Sequence, residues 1–564
     1  MKVDDPALSK LLSAVDSYTI PVFQRYYVWE RKNWDKLWND LELLMVPDVP
    51  YRPHFLGALV FSPIPKNPGE VTRFMVIDGQ QRLITIELIL CAIRDIAYEK
   101  GWDKRAEEIE NSYLVHQYKT GKDHYKVYPR LRDRDSYISI IDRQGVLADN
   151  KIGEAYNHFL KLLQESTYFG SEKTLLNFLG KFIDGLQFVS ISLNAEDPYK
   201  IFKSLNYDGV KLAQCDLIRN HVFMLVDPDK QDEFDDQYWS PFEKYFQVES
   251  SDTSIKINHK EFDQFFRNFL LKEGKTVLEE YIYESFDNWF TVRGKEPYSV
   301  VQEFKRCLEY QKYIDKRKSH SSRDIQNAID NLSEYKLKTI YPLLFKLLLL
   351  NEDGKLSDSD LIKSLKIIDS FVMRRYCCQK STRQYIDMFV EVCGKLKITP
   401  LQDLIDYLNS KGWPDDDEFL TGLYSLQLYK KNFKKVFLGR IEMFLQNPSE
   451  RVAIERCQLE HIMPKTINID SPDGQVWITS LGDNWEEIHT KYLDTIGNLT
   501  YVGEDYNNSM KNKPFLIKKP VLGSSRVYLN KYFNNPSLIN WTNVEIDARA
   551  KEMADCAKQI WVKL

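Results

Sequence analysis

At 564 residues the chain has room for three or four domain-sized units of about 150 residues each, and 43% hydrophobic content is ample for packed cores. A net charge of −5, with 28% of residues charged, excludes a uniformly basic nucleic-acid coat but leaves room for a local basic face. The N-terminus lacks the apolar core of a secretory signal, and the longest strongly apolar stretch, Ile340 to Leu350, is too short to span a bilayer. Eight scattered cysteines without a Cys-x-x-Cys pair fit neither a zinc ribbon nor a disulfide framework. The expectation is a cytoplasmic protein with no membrane partner and mostly buried thiols. Aromatic residues reach 13%, a content that large helical cores use and that base stacking would also use.

In chain order, Leu8, Leu11, Leu12 and Val15 predict a short helix, and Pro21 opens an extended aromatic segment, Ile20 to Trp29. Apolar positions 34, 37, 38, 41, 44 and 45 form a helical stripe. His54 to Phe61 reads as a strand, with His54 a satisfied strand-end histidine. After a Pro/Gly-rich loop comes Arg73-Phe-Met-Val-Ile-Asp-Gly-Gln-Gln-Arg82. Phe74 to Ile77 suits a buried strand, and Leu83, Ile86, Leu90 and Ile93 suit a helix. Such a strand-to-helix junction aims backbone N–H groups and a positive dipole end at whatever lies above it. With Asp78, Gly79, Gln80, Gln81 and Arg82 in the turn, its natural guest is a phosphate or another anion. The bland alternative is a turn that Asp78 caps or in which Asp78 pairs with Arg82.

Residues 86–185 read as mostly helical, with an extended piece at Tyr125 to Leu131. Leu186 to Leu193 alternates like a strand, and helices are expected over Asp197 to Leu205 and Lys211 to His221. From 240 to about 440 the pattern is long and amphipathic, with surface loops at Asp315 to Arg323 and Trp413 to Glu418.

The character changes near 450. Residues 455–465 read Glu-Arg-Cys-Gln-Leu-Glu-His-Ile-Met-Pro-Lys, followed by Ile496-Gly-Asn-Leu-Thr-Tyr-Val502 and Tyr506-Asn-Asn-Ser-Met-Lys-Asn-Lys-Pro-Phe515. Between Asp505 and Glu545 no acidic residue occurs, against six basic ones, including Lys511, Lys513, Lys518 and Lys519. A carboxylate–histidine pair beside such a stretch suits phosphodiester cleavage. Glu460 can hold a divalent metal, His461 can act as general base on water, and the lysines can hold a phosphate backbone, Lys518 foremost. The neighbouring amides can complete metal coordination or fix the imidazole.

On these residues the chain resembles the GmrSD-type modification-dependent restriction enzymes, whose relatives include the BrxU and SspE phage-defence proteins. The N-terminal resemblance rests on Ile20-Pro-Val-Phe-Gln-Arg-Tyr-Tyr-Val-Trp29, His54-Phe-Leu-Gly57, Ile77-Asp-Gly-Gln-Gln-Arg-Leu83, Ile201-Phe-Lys-Ser-Leu-Asn206 and Asp216-Leu-Ile218. The C-terminal one rests on Glu460-His-Ile-Met-Pro464, Gly497-Asn-Leu-Thr500, Asn507, Asn512, Phe515, Lys518, Trp541 and Arg549.

The resemblance implies an α+β, predominantly helical protein in three parts. Residues 1–240 would form a ParB/sulfiredoxin-like small sheet with helices that binds and hydrolyses a nucleoside triphosphate. Residues 241–435 would be a helical connection, and 436–564 a ββα-metal (HNH-type) nuclease domain. It further implies that Arg25 joins Asp78, Gly79, Gln80, Gln81 and Arg82 in the nucleotide site. At the other end His461, Asn498 and Lys518 would be catalytic, Glu460 and Asn507 metal ligands, and Lys511, Lys513 and Lys519 DNA contacts. The expected partners are modified double-stranded DNA and an NTP, with homo-oligomerisation open.

Two departures stand out. Where such nucleases often end on a metal-binding histidine, only the amides Asn507, Asn508 and Asn512 are present. These favour Mg²⁺ or Mn²⁺ over Zn²⁺. Asp208 also stands where the family more often has arginine. The alternatives are a nucleotide-switched sensor of modified DNA with a degenerate nuclease domain, and a nuclease acting on RNA or unmodified DNA.

Overall fold

The computed structural model describes every residue except 1, 5–7, 14, 22–23, 25, 47–52, 65–70, 130, 148–149, 193–212, 250–254, 295, 448–451 and 505–509. The expected helix 197–205 therefore lies outside the described residues, as do Asp208, Arg25 and Asn507. The fold is mostly helical, with one mixed six-stranded sheet and two small two-stranded ones. It divides into two compact units, Met1–Phe266 with Glu279–Gln302, and Arg267–Leu278 with Glu303–Leu564.

The first unit holds the six-stranded sheet, built from β1 (Lys2–Asp4), β2 (Asp16–Thr19), β3 (His54–Pro63), β4 (Thr72–Asp78), β5 (Val127–Tyr128) and β6 (Leu186–Ser192) in the order β1-β6-β3-β4-β2-β5. β3 and β4 are antiparallel neighbours, and β2 runs parallel to β4. The helix Gln80–Glu99 leaves the end of β4 and is buried on nearly every side, Leu83, Ile86, Leu90 and Ile93 together with Leu88, Ile89 and Ala92. Periodicity anticipates one apolar face. The structure encloses the whole helix, which makes it the spine of this unit. The helix Arg31–Met45 opens with a reciprocal capping box between Glu30 and Asn33 and buries Trp34, Leu37, Trp38, Leu41 and Met45. A short antiparallel pair, β7 (Gln247–Glu249) with β8 (Ile255–Ile257), escapes the sequence reading because three-residue strands carry too little alternation to register.

In the second unit the longest apolar run becomes the helix Tyr341–Glu352, with Leu343, Leu344, Phe345, Leu347 and Leu348 all inside the core. No helix among the described residues is long and apolar enough to cross a membrane. The segment expected as a loop at Trp413 to Glu418 is corrected. Trp413 is buried, and Asp415 caps a helix, Asp416–Ser425, by accepting from the Glu418 N–H at 2.8 Å. Consecutive carboxylates read as a solvated loop, yet they also suit the positive end of a helix, and here the cap decides. Near the C-terminus β9 (Gln458–His461) and β10 (Leu499–Val502) form an antiparallel pair, and the helices Phe515–Ser524 and Asn543–Ile560 follow. All eight cysteines are free thiols, five of them buried.

Candidate functional site

At the end of β4 the chain turns through Gly79, whose φ of +96° places it in the left-handed region that glycine tolerates. A Cβ here would come within 2.3 Å of Leu59 Cδ2 and 3.3 Å of the Ala58 carbonyl. No side chain caps the start of the helix Gln80–Glu99. Asp78 instead accepts from Arg82 Nη2 at 3.2 Å, while Arg82 Nη1 donates to the Leu56 carbonyl at 3.0 Å. Gly57, at φ +103° within a register shift between β3 and β6, makes room for that guanidinium, since a Cβ there would sit 2.1 Å from Arg82 Nη1. The structure thus shows the Asp78–Arg82 pair of the bland reading. Arg82 and Asp78 are paired and also partly exposed, at 23% and 35%.

The aromatic segment Ile20 to Trp29 is fastened to the same junction. Gln81 spends both ends of its amide on that backbone, accepting from Val28 N–H at 2.8 Å and donating to the Tyr26 carbonyl at 3.0 Å. Gln24 donates to the Ile77 carbonyl at 2.8 Å, and the Tyr27 hydroxyl lies 2.7 Å from Thr85 Oγ1 and accepts from Trp34 Nε1 at 2.9 Å. Gln80 is buried at the helix start. Gln81 is thereby a clamp between two segments rather than an amide held ready for a ligand. His54 pairs with Asp40 at 3.4 Å, as a satisfied strand-end histidine does.

In the C-terminal hairpin Thr500 is paired with Glu460 and Leu499 with His461. Alternation along a strand sends neighbouring side chains to opposite faces. Glu460 meets the helix Phe515–Ser524, where Lys518 Nζ donates to its Oε1 and to the His461 carbonyl, each at 3.0 Å. Lys518 is fully buried rather than presented to solvent, and burial pulls its ammonium below its ordinary value against the opposing effect of Glu460. His461 Nε2 lies 3.0 Å from Asp494 Oδ1, and the Tyr429 ring packs edge-on to the imidazole at 4.3 Å. His461 is 3% exposed. Burial pushes its pKa down to about 4, although Asp494 pulls the other way, so the imidazole is neutral at neutral pH.

Asn498 does not touch the imidazole. Its Oδ1 accepts from Met463 N–H at 2.7 Å and Trp541 Nε1 at 3.0 Å, and its Nδ2 donates to the carbonyls of Met463 and Leu493. It pins the loop leaving β9 to the strand returning as β10. Arg549 fixes the same return through the carbonyls of Gly497 and Leu499. Lys511 and Lys513 are exposed and Lys519 is half-buried.

Sequence reasoning missed Asp494, Tyr429 and the cations around them. Lys430 lies 3.4 Å from Asp494, and Lys434 and Lys465 lie over the Tyr429 ring. The basic run Lys430-Lys-Asn-Phe-Lys-Lys435 is the available signal, but it lies outside the basic C-terminal stretch between Asp505 and Glu545. Asp494 has no spacing that announces it, because 33 residues separate it from its histidine. Of the two metal-ligand candidates, Glu460 already carries an ammonium on one oxygen and Asn507 is outside the described residues. The one group of three metal-donor side chains found among the described residues is elsewhere, at Cys215, Asp216 and His259.

Comparison with known families finds two matches. Residues 8–223 match the N-terminal domain of the GmrSD restriction endonucleases, and residues 413–556 match their C-terminal domain. The first contains the β4 junction with the aromatic segment clamped to it, and the second the β9–β10 hairpin with Asp494, Asn498 and Lys518. No curated protein matches the chain. With both domains present in family order, the chain belongs to the GmrSD-type restriction endonucleases.

Proposed function

We propose that the chain is a modification-dependent DNA endonuclease whose hydrolytic centre is His461, with nucleotide binding at the β4 junction controlling cleavage. The observation that carries the reading is the His461–Asp494 pair, 3.0 Å apart on a hairpin within the matched C-terminal domain. A neutral imidazole oriented by a carboxylate is what a general base needs. With Nε2 engaged by Asp494, Nδ1 is the nitrogen that takes the proton from the attacking water. Asp494 then stabilises the imidazolium that forms. Lys465 and Lys430, brought close through Tyr429 and Asp494, favour an approaching phosphate.

A hard divalent cation, Mg²⁺ or Mn²⁺, fits the oxygen donors that Glu460 and Asn507 offer. Those two residues would hold it, and because Glu460 faces away from the His461 ring, a cation there would supply positive charge to the bound DNA backbone rather than to the water that His461 activates. At the other end, the uncapped helix start with Arg82 in place suits a triphosphate. Asp78, Gly79 and Arg82 are the residues of that site.

One observation favours a second reading, a sensor whose nuclease centre is inactive. The Lys518 ammonium occupies an oxygen of Glu460 that a metal would otherwise claim. A cleavage panel separates the two. Plain, glucosyl-hydroxymethylated and phosphorothioated DNA, and RNA, are each incubated with Mg²⁺ or Mn²⁺ and NTP. The nuclease reading expects cutting of a modified DNA by the parent and none by His461→Ala. Cleavage that survives in His461→Ala removes the assigned base, and no cleavage of any substrate supports the sensor.

A further inference from the structure

The second unit contains a cavity of about 990 Å³ that belongs to neither site above. This is the size range of small-molecule and cofactor pockets. Its lining includes the aliphatic side chains Leu332, Leu337, Leu344, Val436 and Ile454. The charged part of the lining is mostly cationic. Lys316, Lys336, Lys338, Lys435 and Arg440 line the cavity, against only two carboxylates, Asp315 and Glu334. Both carboxylates are already engaged, Glu334 by Arg440 at 3.1 Å and Asp315 by the Tyr341 hydroxyl at 2.7 Å. Among the described residues none of the four lysines forms an ion pair. Four exposed lysines beside an apolar lining suit a ligand that is apolar at one end and multiply anionic at the other.

Two of these lysines also stand out in their backbone. Lys316 and Lys336 adopt φ values of +57° and +54°, the left-handed conformation that glycine or asparagine ordinarily supplies just past a helix. They follow the helices Pro297–Ile314 and Arg323–Ser333. A cation near a helix C-terminus is favourable in itself. That effect does not explain why two lysines in this conformation line one and the same cavity. Lysine stands at two positions where glycine is the relaxed choice, as Arg143, Gln379 and Lys511 do elsewhere in the chain, and these two are the ones that line the cavity.

We propose that this cavity binds a nucleotide, its base and sugar against the aliphatic side chains and its phosphate against Lys316, Lys336, Lys338 and Lys435. A fatty carboxylate would satisfy the aliphatic side chains but leave most of this charge unanswered. Inorganic phosphate would leave them uncovered. The nucleotide is either free or part of a polynucleotide chain, and the two share the chemistry that the cavity reads. The inference does not rest on the nuclease reading.

The test is photo-crosslinking of the full-length chain with 8-azido-AMP, in parallel with a single-stranded oligonucleotide carrying one 8-azidoadenine, followed by peptide mapping. Expected labelling falls in residues 314–344 or 435–457 and is competed by AMP or plain oligonucleotide. Labelling by the oligonucleotide alone identifies the polynucleotide as the source. The double variant Lys316→Gly/Lys336→Gly should lose labelling at least tenfold while its Tm does not fall, because glycine relaxes both backbones. Lys338→Gln/Lys435→Gln, which leaves the backbone alone, should lose labelling as well. Label absent from these peptides with both probes, or retained by both double variants, overturns the proposal.

Discussion

Glu460 and His461 are adjacent in sequence and serve opposite faces of one hairpin. Glu460 is held by Lys518 from the helix Phe515–Ser524, and His461 by Asp494 from the loop that precedes β10. The flanking cores divide in the same way. Leu499 and Tyr501 of β10 belong to one apolar cluster and Val502 to another. A dipeptide that reads as one functional unit is two, with the thickness of the strand pair between a carboxylate–ammonium pair and a carboxylate–imidazole pair. The shared element is the His461 carbonyl, which also accepts from Lys518.

Lys518 is the first place to test this arrangement. Removing one partner of a buried pair strands the other charge, at a cost of roughly 3–5 kcal/mol. Lys518→Met should therefore lower the unfolding free energy by about that amount, the lower end applying because Glu460 keeps some contact with water. The double variant Lys518→Met/Glu460→Gln should recover a large part of the loss. Urea unfolding at pH 7 measures both. Equal instability of the single and double variants would show that the lysine acts through packing alone.

Asp494 orients the proposed base. Asp494→Asn keeps the shape and loses the charge that favours the imidazolium. DNA cleavage should fall by roughly 10²–10⁴-fold, the usual worth of a positioned general base. Its hydrogen bond and charge both raise the His461 pKa, so the variant should also shift the imidazole further down. Imidazole titration by NMR, read beside the cleavage rate, distinguishes this from simple loss of structure.

Much of this was legible in the sequence, because its signals are local. The strand-to-helix junction at Asp78–Arg82 and the helix Arg31–Met45 followed from alternation, period and turn chemistry. His461 came forward because it sits in a motif. What escaped depends on contacts between residues far apart in the chain. Asp494 reaches His461 across a loop that Asn498 ties to the strand pair. Gln81 looked like a ligand until the aromatic segment closed on it through Tyr26 and Val28. A side-chain amide and a backbone amide satisfy each other without any spacing rule that marks the pair in advance.

Two buried groups give the stability opposite pH slopes. His461 is held at about 4 in the fold, against an ordinary value of about 6.5. The unfolded chain binds the extra proton between those values. The contribution of His461 is thus present above about pH 6.5 and is lost as pH falls towards 4, a difference on the order of 3 kcal/mol. Glu87, fully buried with only the Tyr137 hydroxyl on one oxygen, is raised from 4.5 to about 8 by burial. The fold keeps its proton, so this contribution is present below 4.5 and is lost as pH rises through 8. Parent stability should change little between pH 5 and 6.5, and the variants should expose the two slopes. His461→Gln should remove the acid-side loss and Glu87→Gln the alkaline-side loss. Chemical unfolding from pH 4 to 9 reads both, and two variants with parallel profiles would contradict the assignment.

The β4 junction should control nucleotide turnover without carrying cleavage chemistry. Arg82→Ala leaves the Leu56 carbonyl and Asp78 without their donor, and nucleotide turnover should vanish. Gly57→Ala tests the same arginine without touching it. A methyl group there meets Arg82 Nη1 and must adopt φ near +103°, which costs on the order of 1–3 kcal/mol and displaces the guanidinium. Both variants should lose turnover together, while Arg82→Lys retains a single contact and part of the rate, because an ammonium cannot fork between a carboxylate and a carbonyl. In all three the His461 centre should stay formed, with an unchanged imidazole titration. Parent-level turnover in Gly57→Ala would mean that the held geometry of Arg82 is irrelevant to the nucleotide. A disturbed His461 titration in Arg82→Ala would mean that the junction and the hairpin are not separate devices.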